Sequence, residues 1–324
     1  MDTRTLGATG LPVSPIGLGL AAVGRPAYLT SGRDDLGPDR GVDALRARSH
    51  ALLDAAYAAG VRYVDAARSY GLAEEFLASW LAERGDRVAD LTVGSKWGYR
   101  YVGGWRRDVD VHEIKDHRLG ALRRQLAESR ALLGDRLALY QVHSATLESG
   151  VLEDRAVLRE LAGLRAGGLA IGLTVSGPRQ ANAVRRALDV RIDGENPFGV
   201  VQATWNVLEP SVGPALADAA AAGWGVIVKE ALANGRLAPG GDVPAAIARL
   251  GVGHVATPDA IAIAAVLARP WAYVVLSGAA TVDQLAANLR STDVCLSGDE
   301  LAELATLAEP ADAYWAARSA RRWA

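Results

Sequence analysis

Cysteine is nearly absent from this chain. Of 324 residues only Cys295 carries a thiol, so no internal disulfide can form and no cysteine-rich metal site is available. Lysine is almost as scarce: of 35 basic residues only Lys96, Lys115 and Lys229 are lysine, and the rest are arginine. A surplus of one charge is missing too. The net charge is −2 and no basic run occurs, so a nucleic-acid partner is not expected. No apolar run is long enough to span a bilayer, and Met1-Asp2-Thr3-Arg4 lacks the charged-then-apolar opening of a signal peptide. No membrane partner is expected, and a cytoplasmic location follows by default. Finally, no G-x-G-x-x-G follows the first strand-like segment, because Gly17-Leu18-Gly19 lacks the third glycine.

What is present is a chain that is 50% hydrophobic, ample for a sizeable core. Arg4 to Val13 reads as a short hairpin around a Gly-rich turn. Beyond it, strand-like segments fall near 15–20, 61–64, 91–96, 137–142, 169–175, 199–203, 224–229 and 272–276. Helical patterns fall between them, near 43–59, 72–85, 117–133, 152–166, 178–189, 212–222, 257–269 and 281–291. The strands read almost wholly apolar, as a parallel sheet buried on both faces requires. Eight such units predict a single (β/α)8 TIM barrel over residues 1–324, with the N-terminal β-hairpin added. A doubly wound open sheet is the rival, disfavoured by the missing glycine fingerprint.

Two connections are long for their task. Residues 21–42 are rich in Gly, Pro and Asp, and residues 97–115 carry Trp97, Tyr99, Tyr101, Trp105, Arg106 and Arg107. Long βα loops on a barrel lie on the catalytic face, so both are expected as substrate walls, with Trp97, Tyr99 and Trp105 as substrate contacts. The C-terminal segment with Tyr314, Trp315, Arg318, Arg321, Arg322 and Trp323 either folds back over that face or caps the barrel from outside.

Three strands stop on one polar group each. Val61 to Asp65 ends on an acid, Leu91 to Lys96 on an amine, and Leu137 to His143 on an imidazole. Tyr70 follows five residues after Asp65. Four proton-handling groups at one end of a parallel sheet form an active-site constellation. The scarcity of lysine sharpens this, because a compact buried ammonium can tune a neighbour's pKa, which a broad guanidinium does poorly. Giving a proton to a substrate near pH 7 requires a donor acidic enough there. A free phenol, with pKa about 10, is too weak an acid, and a neighbouring ammonium favours the phenolate. Lys96 is the candidate ammonium, Asp65 its counter-ion, and His143 a donor to the substrate oxygen. His112 and His117 flank Glu113 in a zinc-protease-like string, but their spacing of five would put them roughly 140° apart on a helix, so no metal site is expected.

Asp65-Ala66-Ala67-Arg68-Ser69-Tyr70-Gly71, Ser95-Lys96, Gln141-Val142-His143, Val201-Gln202 and Gly278 to Asn288 together resemble the aldo-keto reductases along nearly the whole chain. The resemblance implies a barrel, a bound nicotinamide dinucleotide, a small carbonyl or alcohol substrate, and catalysis by Asp65, Tyr70, Lys96 and His143. It assigns the nicotinamide carboxamide to Ser176 and Gln202. It assigns the pyrophosphate side to Leu232 and Gly235, a phosphate to Ser277, Gly278 and Ala279, and the adenosine to Gln284 and Asn288. The chain departs from the family pattern at Gly177, at Lys229, and at Ala280 and Thr281. The last two stand where a basic residue commonly holds the 2′-phosphate of NADP, so NADP is expected with NAD open and Arg290 as a substitute. Two other functions remain in view: a Schiff-base lyase using Lys96, and a dinucleotide-binding redox sensor without turnover. A monomer is slightly favoured.

Overall fold

The computed structural model describes residues 1–29 and 36–323. Eight parallel strands close into a barrel in chain order. Before it, β1 (Arg4–Thr5) and β2 (Pro12–Val13) form the antiparallel hairpin. The barrel strands are β3 (Ile16–Gly19), β4 (Tyr63–Asp65), β5 (Thr92–Trp97), β8 (Leu137–Ala145), β9 (Ala170–Val175), β10 (Val200–Thr204), β11 (Gly225–Lys229) and β12 (Val274–Ser277). Between β5 and β8 lies a two-stranded ribbon, β6 (Tyr99–Tyr101) against β7 (Glu113–Lys115). The expected loop at 97–115 is therefore partly ordered as a hairpin.

Around the barrel run α1 (Val42–Ala58), α2 (Ala73–Arg84), α3 (Leu119–Leu133), α4 (Arg155–Ala166), α5 (Gln180–Leu188), α6 (Gly213–Ala221), α7 (Ala245–His254), α8 (Pro258–Leu267) and α9 (Val282–Leu289). Two more, α10 (Gly298–Ala305) and α11 (Ala311–Ser319), follow the last barrel unit. Each of the eight expected helices has a counterpart. Local sequence explains their starts: Asp154 accepts from the Ala156 and Val157 amides to cap α4. Thr281 accepts from Gln284 N at α9. Thr257 stands at the N-cap of α8 but makes no side-chain cap bond there. Among the described residues no single helix is long and apolar enough to cross a membrane.

Strand alternation sorts the barrel interior into layers. Tyr63, Leu139, Val200, Ile227 and Val274 form an apolar floor with Leu6 and Val13 of the hairpin. Gly7 lies so close to Gly225 that an added Cβ would sit 2.3 Å from its nitrogen, so the hairpin plugs the N-terminal mouth. Two residues further along the same strands stand Asp65, Gln141 and Gln202, all buried. At the C-terminal mouth stand Lys96, His143, Thr204 and Lys229. The period of two thus carries β4, β8, β10 and β11 from an apolar floor to a polar rim.

Candidate active site

The turn after β4 aims the phenol. Ala66 N donates to Gly94 O at 2.9 Å and Arg68 N to Lys96 O at 3.1 Å, which continues the pairing of β4 with β5 past Asp65. Gly71 then passes the loop after β3 so closely that a Cβ would lie 2.4 Å from Gly24 O, and its φ of +64° suits glycine. Tyr70 is thereby turned back over Lys96.

The Lys96 ammonium forms an ion pair with Asp65 Oδ2. It also donates to Ala66 O at 2.9 Å and to Tyr70 Oη at 3.2 Å. The other Asp65 oxygen accepts from Tyr63 Oη (3.1 Å), Gln202 Nε2 (3.1 Å) and Gln141 Nε2 (3.3 Å). Both members of the pair are almost fully buried, where a charge persists only if it is paired and hydrogen-bonded. His143 meets the same phenol edge-on, its ring centroid 5.5 Å from that of Tyr70 and 5.1 Å from that of Tyr99. Its Nδ1 faces Ser69 Oγ at 3.4 Å.

A second cation stands on the other side. The Arg25 guanidinium lies 5.1 Å from the Tyr70 ring centroid, donates to Ser69 O at 2.9 Å and pairs with Glu113 at 2.5 Å. Tyr28 and Trp323 flank it at 4.8 and 4.5 Å. Trp323 also stacks on His112, with centroids 4.2 Å apart. Arg318 holds Glu230 through two bonds. The C-terminal segment therefore folds back over the catalytic face.

Burial, and then the Asp65 carboxylate, push the Tyr70 phenol well above its ordinary value, while Arg25 pulls it down. Lys96 donates to the phenol oxygen at 3.2 Å, with Asp65 as its counter-ion. The phenol keeps its proton. Burial, followed by the charges of Lys96, Arg25 and Lys229, drives His143 well below the usual histidine range, so the imidazole is neutral near pH 7.

The sequence matches the family description "Aldo/keto reductase family" over residues 16–309. The chain belongs to that family. An aldo-keto reductase, str7, from Strobilurus tenacellus is 25% identical over 96% of this chain and 93% of its own length. The crystal structure of a Pseudomonas protein assigned to the aldo-keto reductases superposes with a TM-score of 0.63 at 27% identity, covering 93% of this chain and 95% of that one. Pyridoxal 4-dehydrogenase from Microbacterium luteolum is 29% identical over 41% of this chain, and that match spans only 40% of the relative's length. As an aldo/keto reductase, the chain is an oxidoreductase by family.

Within this aldo/keto reductase the other named residues divide. Ser277, Ala279, Gln284 and Asn288 share one network after β12: Ser277 Oγ donates to Asn288 Oδ1 at 2.8 Å and accepts from Ala279 N, and Ala280 N donates to Gln284 Oε1 at 2.9 Å. Asn288 also donates to the buried Asp259 at 2.6 Å. Gly278 beside them is exposed. Leu232 and Gly235 bracket the turn after β11. Ser176 stands apart, lining a shallow cleft with Thr146, Leu147, Gly177 and Arg179. The Gln202 amide points to Asp65, inside the barrel.

Among the expected substrate contacts, Tyr99 borders His143, whereas Trp97 ends β5 fully buried against His117, so it backs the wall and does not face the site. Trp105 packs on Phe76 and donates to Arg40 O at 3.0 Å. Of the 21–42 loop, residues 30–35 lie outside the described residues. His112 and His117 lie on either side of β7, so helix geometry is not what separates them. Their ring contacts go to Trp323 and to the carbonyl of His143. Among the described residues no group of three His, Cys, Asp or Glu side chains could hold a metal ion. Sequence reasoning missed Arg25, Tyr28, Glu113 and Glu230; the first three had only the excess length of their loops as a signal, and Glu230, after β11, lies outside both loops.

These buried histidines predict an acid limb of stability. His117 is lowered to about 4 by burial, and His143 lies well below its ordinary value. The unfolded chain protonates both near pH 6.5, so the contribution of these two histidines to stability is complete above that value and is lost as pH falls below it. Each contributes a slope of about 1.4 kcal/mol per pH unit. Urea unfolding at pH 7.5 and 5.0 should show the loss, and His117→Asn should remove close to half of it. An unchanged slope in that variant would refute the assignment.

Proposed function

We propose that this protein is an NAD(P)-dependent carbonyl reductase or alcohol dehydrogenase in which Tyr70 handles the proton. The observation that carries the reading is the chain Asp65–Lys96–Tyr70, with His143 against the same phenol. Tyr70 Oη, still protonated, is placed to give its proton to a substrate oxygen, and neutral His143 is placed to orient that oxygen. Lys96 then steadies the phenolate left behind. Its companion Asp65 keeps that ammonium in position. Tyr28, Tyr99 and Trp323 shield the pocket, where fixed donors act more strongly than in water.

The residues fit a dinucleotide. After β11 the backbone takes positive φ at Glu230, Ala233, Asn234 and Gly235. Such left-handed positions in non-glycine residues are costly and gather at ligand sites, and runs of them form anion-binding concavities. Gly278 leaves open space ahead of α9, since an added Cβ there would meet nothing within 4 Å, and a helix start favours phosphate. Leu232, Gly235 and the 277–279 loop would hold the pyrophosphate, with Gln284 and Asn288 towards the adenosine, once their mutual bonds are exchanged. When bound, the nucleotide supplies or accepts the hydride. No basic side chain stands in Ser277 to Thr281, so NAD is as open as NADP.

The lyase reading loses ground, because the three protons of the Lys96 ammonium are committed to Asp65, Ala66 O and Tyr70. Equilibrium titration with NADH and NADPH, followed by turnover of pyridoxal and 4-nitrobenzaldehyde, tests the proposal. Micromolar binding with turnover is the expected result. Binding without turnover across a broad carbonyl panel would favour the sensor, and no binding would end the reading.

A further inference from the structure

At the end of β11, where the barrel opens, stands an amine that the scheme above does not use. Lys229 Nζ donates to Thr204 Oγ1 at 2.6 Å and lies 3.7 Å from Glu230 Oε1. That carboxylate is already held by Arg318. Around the mouth, Lys96 is matched by Asp65, Arg25 by Glu113 and Arg318 by Glu230. Lys229 only shares the last of these at longer range. Among the described residues the one carboxylate paired with Lys229 is Glu230, at 3.7 Å and already engaged by Arg318.

We propose that Lys229 biases the bound nicotinamide towards its reduced, uncharged form, and so shifts the equilibrium on the enzyme away from carbonyl reduction and towards alcohol oxidation. This rests on the function proposed above. Hydride transfer needs the reacting carbons about 3–3.5 Å apart. A carbonyl whose oxygen is bonded to Tyr70 Oη thus brings the nicotinamide ring into the same mouth. Lys229 acts electrostatically on both Lys96 and His143, the two groups that touch the phenol. The oxidised ring carries a positive charge and the reduced ring carries none. A ring bound in that mouth would share it with the Lys229 ammonium, whose charge would penalise the oxidised form alone. At an intermediate effective dielectric this is worth about tenfold or more in relative affinity.

The groups facing Lys229 fix the pH at which the bias fades. They are Thr204 on β10, Glu230 beside it, Arg318 and the Trp315 ring on α11, Lys96 on β5 and His143 on β8. Burial lowers the amine to about 8, with Glu230 opposing and Arg318 and Lys96 assisting. Its charge is present below that value and lost above it.

The test is equilibrium titration of the full chain with NADH, NAD+, NADPH and NADP+ at pH 6.5 and 9.5, for wild type, Lys229→Met and Lys229→Arg. For whichever nucleotide pair binds, the ratio of oxidised to reduced Kd at pH 6.5 should be about tenfold or more larger in wild type than in Lys229→Met. By pH 9.5 the wild-type ratio should approach that of the methionine variant. The arginine variant should keep its ratio at both pH values, because a guanidinium stays charged. Binding with equal ratios in wild type and Lys229→Met, or a wild-type ratio indifferent to pH, would overturn this role while leaving the proposed function standing. Failure of all four nucleotides to bind would overturn both.

Discussion

Tyr70→Phe is expected to cut turnover about 1,000-fold with any carbonyl the wild type reduces, while the Kd for the nucleotide moves less than about twofold. General acid catalysis by a positioned side chain contributes about 10²–10⁴ in rate. The substitution removes only Oη. The ring that packs edge-on against His143 and lies beneath Arg25 is retained. Lys96 keeps Asp65 and Ala66 O as acceptors. The stability cost should therefore stay near that of one hydrogen bond, about 1 kcal/mol. Stopped-flow or steady-state kinetics alongside nucleotide titration separates the two effects. Activity within tenfold of wild type would remove Tyr70 from the chemistry.

The largest stability effect is expected from Lys96→Met. It leaves the Asp65 carboxylate buried among three neutral donors, Tyr63, Gln141 and Gln202. Breaking a buried pair from one side costs about 3–5 kcal/mol, because the remaining charge has lost its partner. Removing both charges is milder: Asp65→Asn with Lys96→Met should recover about half the loss, since the amide can still accept from the neutral donors. Urea unfolding of wild type, both single variants and the double variant closes the cycle. Activity should be abolished in all three variants, including the one whose stability recovers. A loss under about 1 kcal/mol in Lys96→Met would mean that the pair is not the keystone of the rim.

Those two variants probe the part of the site most legible in sequence. A strand of a closed parallel barrel is covered on both sides, so it reads as an apolar run, and any polar residue that ends such a run stands out. Asp65, Lys96 and His143 are visible for that reason. The alternation that carries Tyr63 to Asp65 and Leu139 through Gln141 to His143 also fixes which side chains face inward. Other features depend on partners remote in sequence. Arg25 and Glu113 are 88 positions apart, and nothing local announces that they meet over a phenol. Trp97 reads as a loop aromatic because Gly98 follows it, yet it is the last residue of β5. Helix α7 escaped because Gly251 and Gly253 dilute its helical signal. The surroundings of the Tyr70 phenol are hidden for a related reason: sequence supplies the neighbouring cation but not the burial and the Asp65 counter-charge that raise the phenol.

The two ends of the chain occupy opposite poles of the barrel. Leu6 lies in the floor, whereas Trp323 rests on the guanidinium beside Tyr70. A purification tag joined beyond Trp323 would hang over the reaction chamber and could pry its cover loose, so recombinant work is best begun with the handle placed ahead of Met1.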